Sequence, residues 1–427
     1  MSVGVQRLRD ESDLIRSGAI AKGEDPALVD LAIALDERRR AVLAANDALK
    51  AERNAASKAV GEAIRQGADP AGAPVTDLKR ASTDVADRIA TLDAELAAVE
   101  SQLEEAMLRI PNPADADVPV GGEAARVILR SWGDQLPRED RRPHWELGER
   151  LGIIDNARGA KITGSGWPVY VGAGSALQRS LISWFLDVHT RENGMTEVWP
   201  PALVNAASAR GTGQIPDKEE QMYVATRDDL YLVPTAEVPV TNLHRDEIFE
   251  AGRLPVRYAA YTPCFRREAG AAGKETRGIL RVHQFDKVEM VSFERPEDSD
   301  AALDWLTRRA EVLLQRLGLA YRVVLLSTGD MGFVQARTHD LEVWAPGVER
   351  WLEVSSVSNF RDYQARRMAI RYRPGAGARP ELVHTLNGSG LALPRTVAAL
   401  LETHQRPDGS IAVPEPIQSY LGRAIIT

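Results

Sequence analysis

The chain has 427 residues with 53 Lys and Arg against 61 Asp and Glu, a formal charge of −8 that argues against a protein coating nucleic acid with a basic surface. Its 44% hydrophobic and 27% charged residues are those of a globular chain, not a disordered one, and the length predicts two or three domains with a sizeable core. One cysteine, Cys264, leaves no intrachain disulfide and no cysteine-rich zinc site; with no apolar signal core and no run fit to span a bilayer, a soluble protein of the reducing cytoplasm is expected, with no membrane partner.

From Pro26 to Gln66 the sequence is free of internal proline, and Asp25 ahead of Pro26 is a natural N-cap, so one long helix is expected. Leu28, Leu35, Val42, Leu49, Ala56 and Ala63 recur every seven residues and draw a narrow, weak seam on an otherwise polar rod. Helix breakers gather at Gly67 to Pro74. The pattern then resumes with Leu78, Val85, Ile89, Leu92, Leu96, Val99, Leu103, Ala106 and Ile110, whose spacing of about 3.5 residues favours a left-handed, antiparallel hairpin. At ~1.5 Å per residue such an arm is on the order of 60 Å long and projects from any compact body. Residues 1–110 therefore read as one domain and 111–427 as another, with the turn-rich run Pro111 to Gly122 as a hinge.

Beyond the hinge the texture changes to short β-like runs: TEVWPPALV, DLYLVPTAEV, VRYAAYTPCF, DKVEMVSF, YRVVLLST, DLEVWAPG and WLEVSSVSNF. Helical stretches fall at Gln178 to Asn193, Ser299 to Leu317 and Arg395 to Thr403. No regular alternation of strand and helix appears, so the expected class is α+β: an antiparallel sheet flanked by helices, preceded by a coiled-coil arm.

The densest polar cluster runs from Thr262 to Met290. It reads as a strand through Phe265, a Gly-rich loop with Lys274 and Arg277, and a second strand ending in Glu289. Strand alternation places Arg266 with Glu268 on one face, and Phe285 with Lys287 and Glu289, so that arginine, carboxylate and aromatic ring meet. This set suits a nucleotide, with a planar fork for phosphate and a ring on which a base can stack. On composition alone it is equally a solvated hairpin with cross-strand ion pairs. Gly270 and Gly273 lack the context of a dinucleotide or P-loop motif. A second cluster, NGSG at Asn387 to Gly390, reads as a turn leading into an apolar helix near Pro394, which sets Arg395 in the first turn where a phosphate is attracted. Taken by itself, that segment is also a plain loop with Arg395 in solvent.

Together, FRREAGAAGKETRG followed by HQFDKVEM, LVPTAEV, WLEVSSVSNFRDYQARR and LVHTLNGSGLALPRT resemble the seryl-tRNA synthetases, class II aminoacyl-tRNA synthetases, and the resemblance spans nearly the whole chain. It implies a class II catalytic domain, an N-terminal tRNA-binding domain, a homodimer with Pro201 at its interface, and ATP-dependent activation of L-serine followed by its transfer to tRNA(Ser). Arg266 would hold the α-phosphate and Glu268 the adenine side. Val282 and Phe285 would line the base, Arg277 would reach the terminal phosphates, and Arg395 would clamp the γ-phosphate. Glu353, Val354, Ser355 and Ser356 would contact ATP, with Glu353 and Ser356 also holding Mg²⁺. Serine would fall to Thr235, Ala236, Glu237, Glu289 and Ser389, whose polar groups can tell a hydroxyl from a methyl.

The basic stripe Arg39, Arg40, Lys50, Arg53, Lys58 and Arg65 spans an arc of about 140° of the first arm helix. It is either a solvated coiled-coil face or, as the resemblance implies, the contact to the long variable arm of tRNA. Arg267 and Pro394 depart from residues commoner in the family, which leaves room for a specialised or antibiotic-insensitive copy. Two rival readings use the same residues: a ligase that loads a carrier protein, which would lack the arm, and a non-catalytic RNA-binding paralogue, which would lack a motif residue. Cys264 reads as packed in its strand.

Overall fold

Asp25 caps the first long helix through Oδ1, which accepts the Ala27 amide at 2.9 Å, and α1 runs Ala27–Arg65 in a computed structural model that describes residues 3–269 and 277–427. Helix α2 is Ala73–Leu108, entered through Pro74. These helices, with two short N-terminal ones, Val5–Asp10 and Ser12–Ala21, form one unit of the chain. The expected seam is buried only in part: Leu28 and Leu35 are half-buried, and Val29, Ala32 and Asp36 are the buried residues of that stretch. Val42 and Leu49 pack from α1, and Val85, Ile89, Val99, Leu103 and Ala106 from α2.

Polar residues interrupt the seam and fix its register. Asn46 Nδ2 donates to Asp93 Oδ1 at 2.5 Å. Buried Asp36 accepts a fork from Arg9 at 2.7 and 2.9 Å and further bonds from Arg39 and Arg40, and the Arg9 hydrogen bonds hold its carboxyl below the usual range. Past Leu49 no residue of α1 is fully buried, because alanines at the seam remove little apolar area from water.

The second unit comprises residues 21–23 and 111–427. The turn-rich run from Pro111 is part of its packing and not a solvated hinge. Asn112 Nδ2 donates to the carbonyls of Val334 at 3.0 Å and Phe360 at 2.9 Å, while Val118 joins Val324, Leu326 and Met331 in a small apolar cluster.

Eight strands build the main sheet: β1 Val127–Trp132, β2 Thr196–Val198, β3 Val256–Phe265, β4 Gln284–Glu294, β5 Tyr321–Leu325, β6 Arg337–Ala345, β7 Arg350–Asn359 and β8 His384–Ala392. Their spatial order is β1-β5-β6-β7-β8-β4-β3-β2, antiparallel throughout except for the β2–β3 pair. Helices α3 Ala173–Asp187, α5 Ser299–Arg316 and α6 Leu393–His404 bury Leu181, Leu306 and Leu401 in one apolar cluster with Met290, Val357 and Leu386. The alternate residues Val291 and Phe293 pack instead with Ala236, Val240 and Phe249, near the short helix α4 Glu237–Thr241.

Two local expectations are corrected. DLYLVPTAEV is a strand only at Leu230–Leu232; Pro234 ends it and α4 follows. NGSG is not a turn but the middle of β8, and its glycines answer to packing. A Cβ on Gly388 would meet Val357 Cγ2 at 2.8 Å, and one on Gly390 would meet His189 Nε2 at 2.2 Å.

Candidate functional site

On the sheet, Lys287 and Glu289 of β4 and Asn387 and Ser389 of β8 face away from the apolar cluster covered by α3, α5 and α6, in which Leu391 packs. Lys287, Glu289, Asn387 and Ser389 therefore line one cleft of about 490 Å³, together with Thr235, Glu237, Arg266, Glu268, Val282, Phe285, Glu353, Val354, Ser356 and Arg395. The β4–β8 register sets Glu289 directly opposite Ser389.

At the small polar end, Thr235 Oγ1 donates to Glu289 Oε2 at 3.3 Å, and the Lys287 ammonium pairs with the same oxygen. Glu237 Oε1 accepts from Gln364 Nε2 at 2.7 Å, and Gln364 is oriented in turn by Thr385 Oγ1, which donates to its Oε1 at 2.7 Å. All of these side chains are buried. Burial first, and repulsion from Glu289 second, push the Glu237 carboxyl above the usual range despite the Gln364 bond.

The folded protein thus holds a proton there more tightly than the unfolded chain. That stabilisation is fully present below the unfolded pKa and is lost as pH rises through the folded one. Glu237→Gln keeps the acceptor for Gln364 and removes the buried charge. Its Tm is expected to exceed that of the unsubstituted protein at neutral pH and to converge with it below about pH 4. Scanning calorimetry across pH in the absence of ligand checks this, and a constant offset would show that Glu237 does not titrate differently on folding.

At the other end the Arg266 guanidinium lies 5.2 Å from the Phe285 ring centroid, with Nε donating to the Pro234 carbonyl at 3.4 Å. Glu268 has a left-handed backbone, φ 49°, and its Oε2 accepts from Arg281 Nη1 at 2.6 Å. Arg395, in the first turn of α6, donates from Nε to the Leu280 carbonyl at 3.0 Å and from Nη1 to the carbonyl and Oε2 of Glu353 at 3.1 and 3.4 Å. Behind Glu353 and Ser356 stands Asp340, buried, its Oδ1 without a hydrogen-bond partner and its carboxyl pushed up by burial and by Glu353. This all-oxygen, excess-acid set fits a hard divalent cation such as Mg²⁺.

Three expected contacts stand apart from the cleft lining. Arg277 lies with its guanidinium 4.5 Å over the Trp145 ring. Ser355 is buried and donates to the Ser389 carbonyl at 2.6 Å, supporting the strand that carries Ser389. Ala236 is fully buried in the apolar cluster beneath α4. Gly270, Gly273 and Lys274 lie outside the described residues. Cys264 is fully buried, and burial pushes its thiol up.

Sequence reasoning assigned no role to Lys287, Arg281, Asn387 or Gln364. Alternation already put Lys287 on the face of Glu289, whereas Gln364 has no local signal because it meets Glu237 only through the fold. Asn387 is buried with Nδ2 unpartnered at the cleft wall.

On the arm, the six basic residues are not one free stripe. Arg39 and Arg40 bond Asp36 at 3.3 and 3.2 Å, Lys50 pairs with Asp93 at 3.5 Å, Arg53 is half-buried, and Lys58 and Arg65 are exposed towards the tip.

Residues 4–114 match the seryl-tRNA synthetase N-terminal domain, and residues 222–404 match the tRNA synthetase class II core domain (G, H, P, S and T). The chain is 48% identical over 426 residues to a serine–tRNA ligase of Gemmatimonas aurantiaca, covering 99% of both chains. It is 51% identical over 417 residues to that of Thermomicrobium roseum, covering 97% of this chain and 92% of the relative. Among solved structures it is similar to the seryl-tRNA synthetase of Pyrococcus horikoshii complexed with ATP, with a TM-score of 0.93, 35% identity and 99% of each chain covered. The cytoplasmic enzyme of Naegleria fowleri in complex with AMP follows at TM-score 0.87 and 28% identity, covering 98% of this chain and 96% of that one.

Proposed function

The chain belongs to the seryl-tRNA synthetase family, class II enzymes that activate serine with ATP and charge tRNA, and from that premise we propose how its cleft divides the work. The small end takes serine, Glu237 and Thr235 receiving the ammonium and Glu289 with Ser389 the hydroxyl. The larger end takes ATP, with adenine against Phe285 and Val282, Glu268 at its edge, and the triphosphate bent back between Arg266 and Arg395, with Arg277 at its terminal phosphates. One serine carboxylate oxygen attacks the α-phosphorus as the bond to pyrophosphate breaks, Arg266 opposing the charge that grows on the α-phosphate and Arg395 that on the leaving group. The ribose hydroxyl of the tRNA terminus then displaces AMP from the seryl-adenylate. Neither step needs a side-chain nucleophile. Glu353 and Ser356 would hold Mg²⁺, which supplies neutralisation of phosphate charge when bound.

The arm reads tRNA(Ser) by shape and backbone, and the copy works in the cytoplasm as a homodimer. The free edge of β2, where Trp199 is 76% exposed beside exposed Pro201, supports the dimer. No described helix is long and apolar enough to cross a membrane.

The observation that carries the reading is Glu289, a buried carboxylate bonded to Thr235 and Lys287 and facing Ser389 across the register. Pyrophosphate exchange tested with each of the twenty amino acids is expected to respond to serine; response to a different one instead would remove the assignment. Glu289→Gln is expected to cut serine's advantage over alanine by about ten- to a hundredfold, since a charged partner of the hydroxyl is lost. An unchanged preference would move discrimination to other groups.

A further inference from the structure

Behind the nucleotide end of the cleft lies a fully buried acid that the reaction does not use. Glu402 sits on α6 two turns beyond Arg395, and its carboxylate accepts four N–H bonds. Oε1 takes the His144 amide at 2.9 Å and His144 Nδ1 at 2.7 Å, and Oε2 takes the amides of Gly347 at 2.8 Å and Val348 at 3.2 Å. A carboxylate so surrounded is fully satisfied without a cation. His144 in turn accepts the Ile279 amide on Nε2 at 3.3 Å, which fixes the neutral ring with its proton on Nδ1.

The next residue, Leu280, gives its carbonyl to Arg395 Nε at 3.0 Å. One helix therefore holds the two-residue segment Ile279–Leu280 at both ends: the Ile279 amide through Glu402 and His144, and the Leu280 carbonyl through Arg395. Gly278 permits the approach, for at φ +72° a Cβ there would lie 2.3 Å from His144 Nε2. Through Gly347 and Val348 the same carboxylate also holds the turn that feeds β7, the strand of Glu353 and Ser356.

We propose that Glu402 and His144 are positioning residues for the nucleotide end, setting the height of Leu280 and with it the aim of the Arg395 guanidinium, while leaving the serine end untouched. This rests on the reading of Arg395 as a phosphate ligand. Loss of the bond to Ile279 frees the segment, lets Arg395 follow Leu280, and weakens ATP without altering Thr235, Glu237 or Glu289.

The test is steady-state pyrophosphate exchange with both substrates varied, beside Tm. H144N can keep a donor for Glu402 but cannot reach the Ile279 amide; H144Q can present an acceptor to that amide. G278A pushes the segment off the ring without touching the buried carboxylate. H144N and G278A are expected to raise KM for ATP about tenfold with KM for serine within about twofold, and H144Q to recover most of the loss. A folded H144N or G278A with unchanged KM for ATP overturns the proposal, as does a rise in both KM values that tracks Tm equally in H144N and H144Q. R395A is the control: if exchange survives it unchanged, the reading of Arg395 itself fails, whatever the His144 variants do.

Discussion

Arg266→Ala is expected to lower serine-dependent exchange of pyrophosphate into ATP by about a thousandfold or more, the size of losing a preorganised charge at the reacting phosphate. The reason lies in how little else the guanidinium does. It is largely solvent-exposed, touches the Pro234 carbonyl only at 3.4 Å, and hovers over Phe285 at 5.2 Å, so folding does not depend on it. A change of Tm of no more than ~2 °C should accompany the loss, since an exposed side chain away from core packing contributes within about 0.5 kcal/mol. Arg395→Ala is a less clean probe, because that side chain also holds the Leu280 carbonyl and Glu353. Retention of exchange in the Arg266 variant would take the α-phosphate away from this residue.

What could be read in advance follows from range of interaction. The arm was legible because its determinants are periodic and local: the repeat of α2 names most of its buried residues and Asp25 with Pro26 marks the start, whereas the heptad of α1 matches the buried set only at Val42 and Leu49, where Val29, Ala32, Asp36 and Asn46 complete it. Strands β3, β4 and β7 were legible from alternation. Strand β1 was not: its VILRSW run is apolar but does not alternate, and Val127, Ile128, Leu129 and Trp132 stand exposed at a sheet edge. NGSG misled because glycine's turn preference is a local statistic, whereas Gly388 and Gly390 are small to admit Val357 and His189 from distant elements. Of the cleft residues with motif resemblance, Glu289 and Ser389 came together through strand pairing, whereas Arg266 and Glu268 lie just beyond the end of β3. Gln364 and Glu402 could not be anticipated, since Glu237 and His144, which they meet, lie more than a hundred residues away and their own segments look ordinary.

The arm carries the other large effect. Replacing residues 51–88 with a short glycine-rich turn removes Arg53, Lys58, Arg65 and the loosely packed tip. It retains Leu49 beside Ile89, the Asn46–Asp93 bond and the buried Asp36 with its three arginines. The base of the hairpin then keeps the contacts that define its register, and the catalytic unit keeps its own core. Exchange with serine is expected to stay within about twofold, while kcat/KM for charging tRNA(Ser) falls by about a hundred- to a thousandfold, the range spanned by losing several backbone contacts to RNA. Salt separates charge from shape. Charging by the unaltered protein should weaken steeply as ionic strength rises, and charging by the shortened one should barely respond. Substituting Arg53, Lys58 and Arg65 by Gln in the full-length arm should reproduce part of the loss and most of the change in salt slope. Were exchange and charging to collapse together, the arm would be a structural support; were charging unaffected, tRNA would be gripped elsewhere. Because the whole chain bears a charge of −8, RNA can be held only where positive charge is locally in excess, and Arg39, Arg40 and Lys50 are already committed to acids of the hairpin itself. The tip half of α1 is thus the part of the stripe whose removal should be felt.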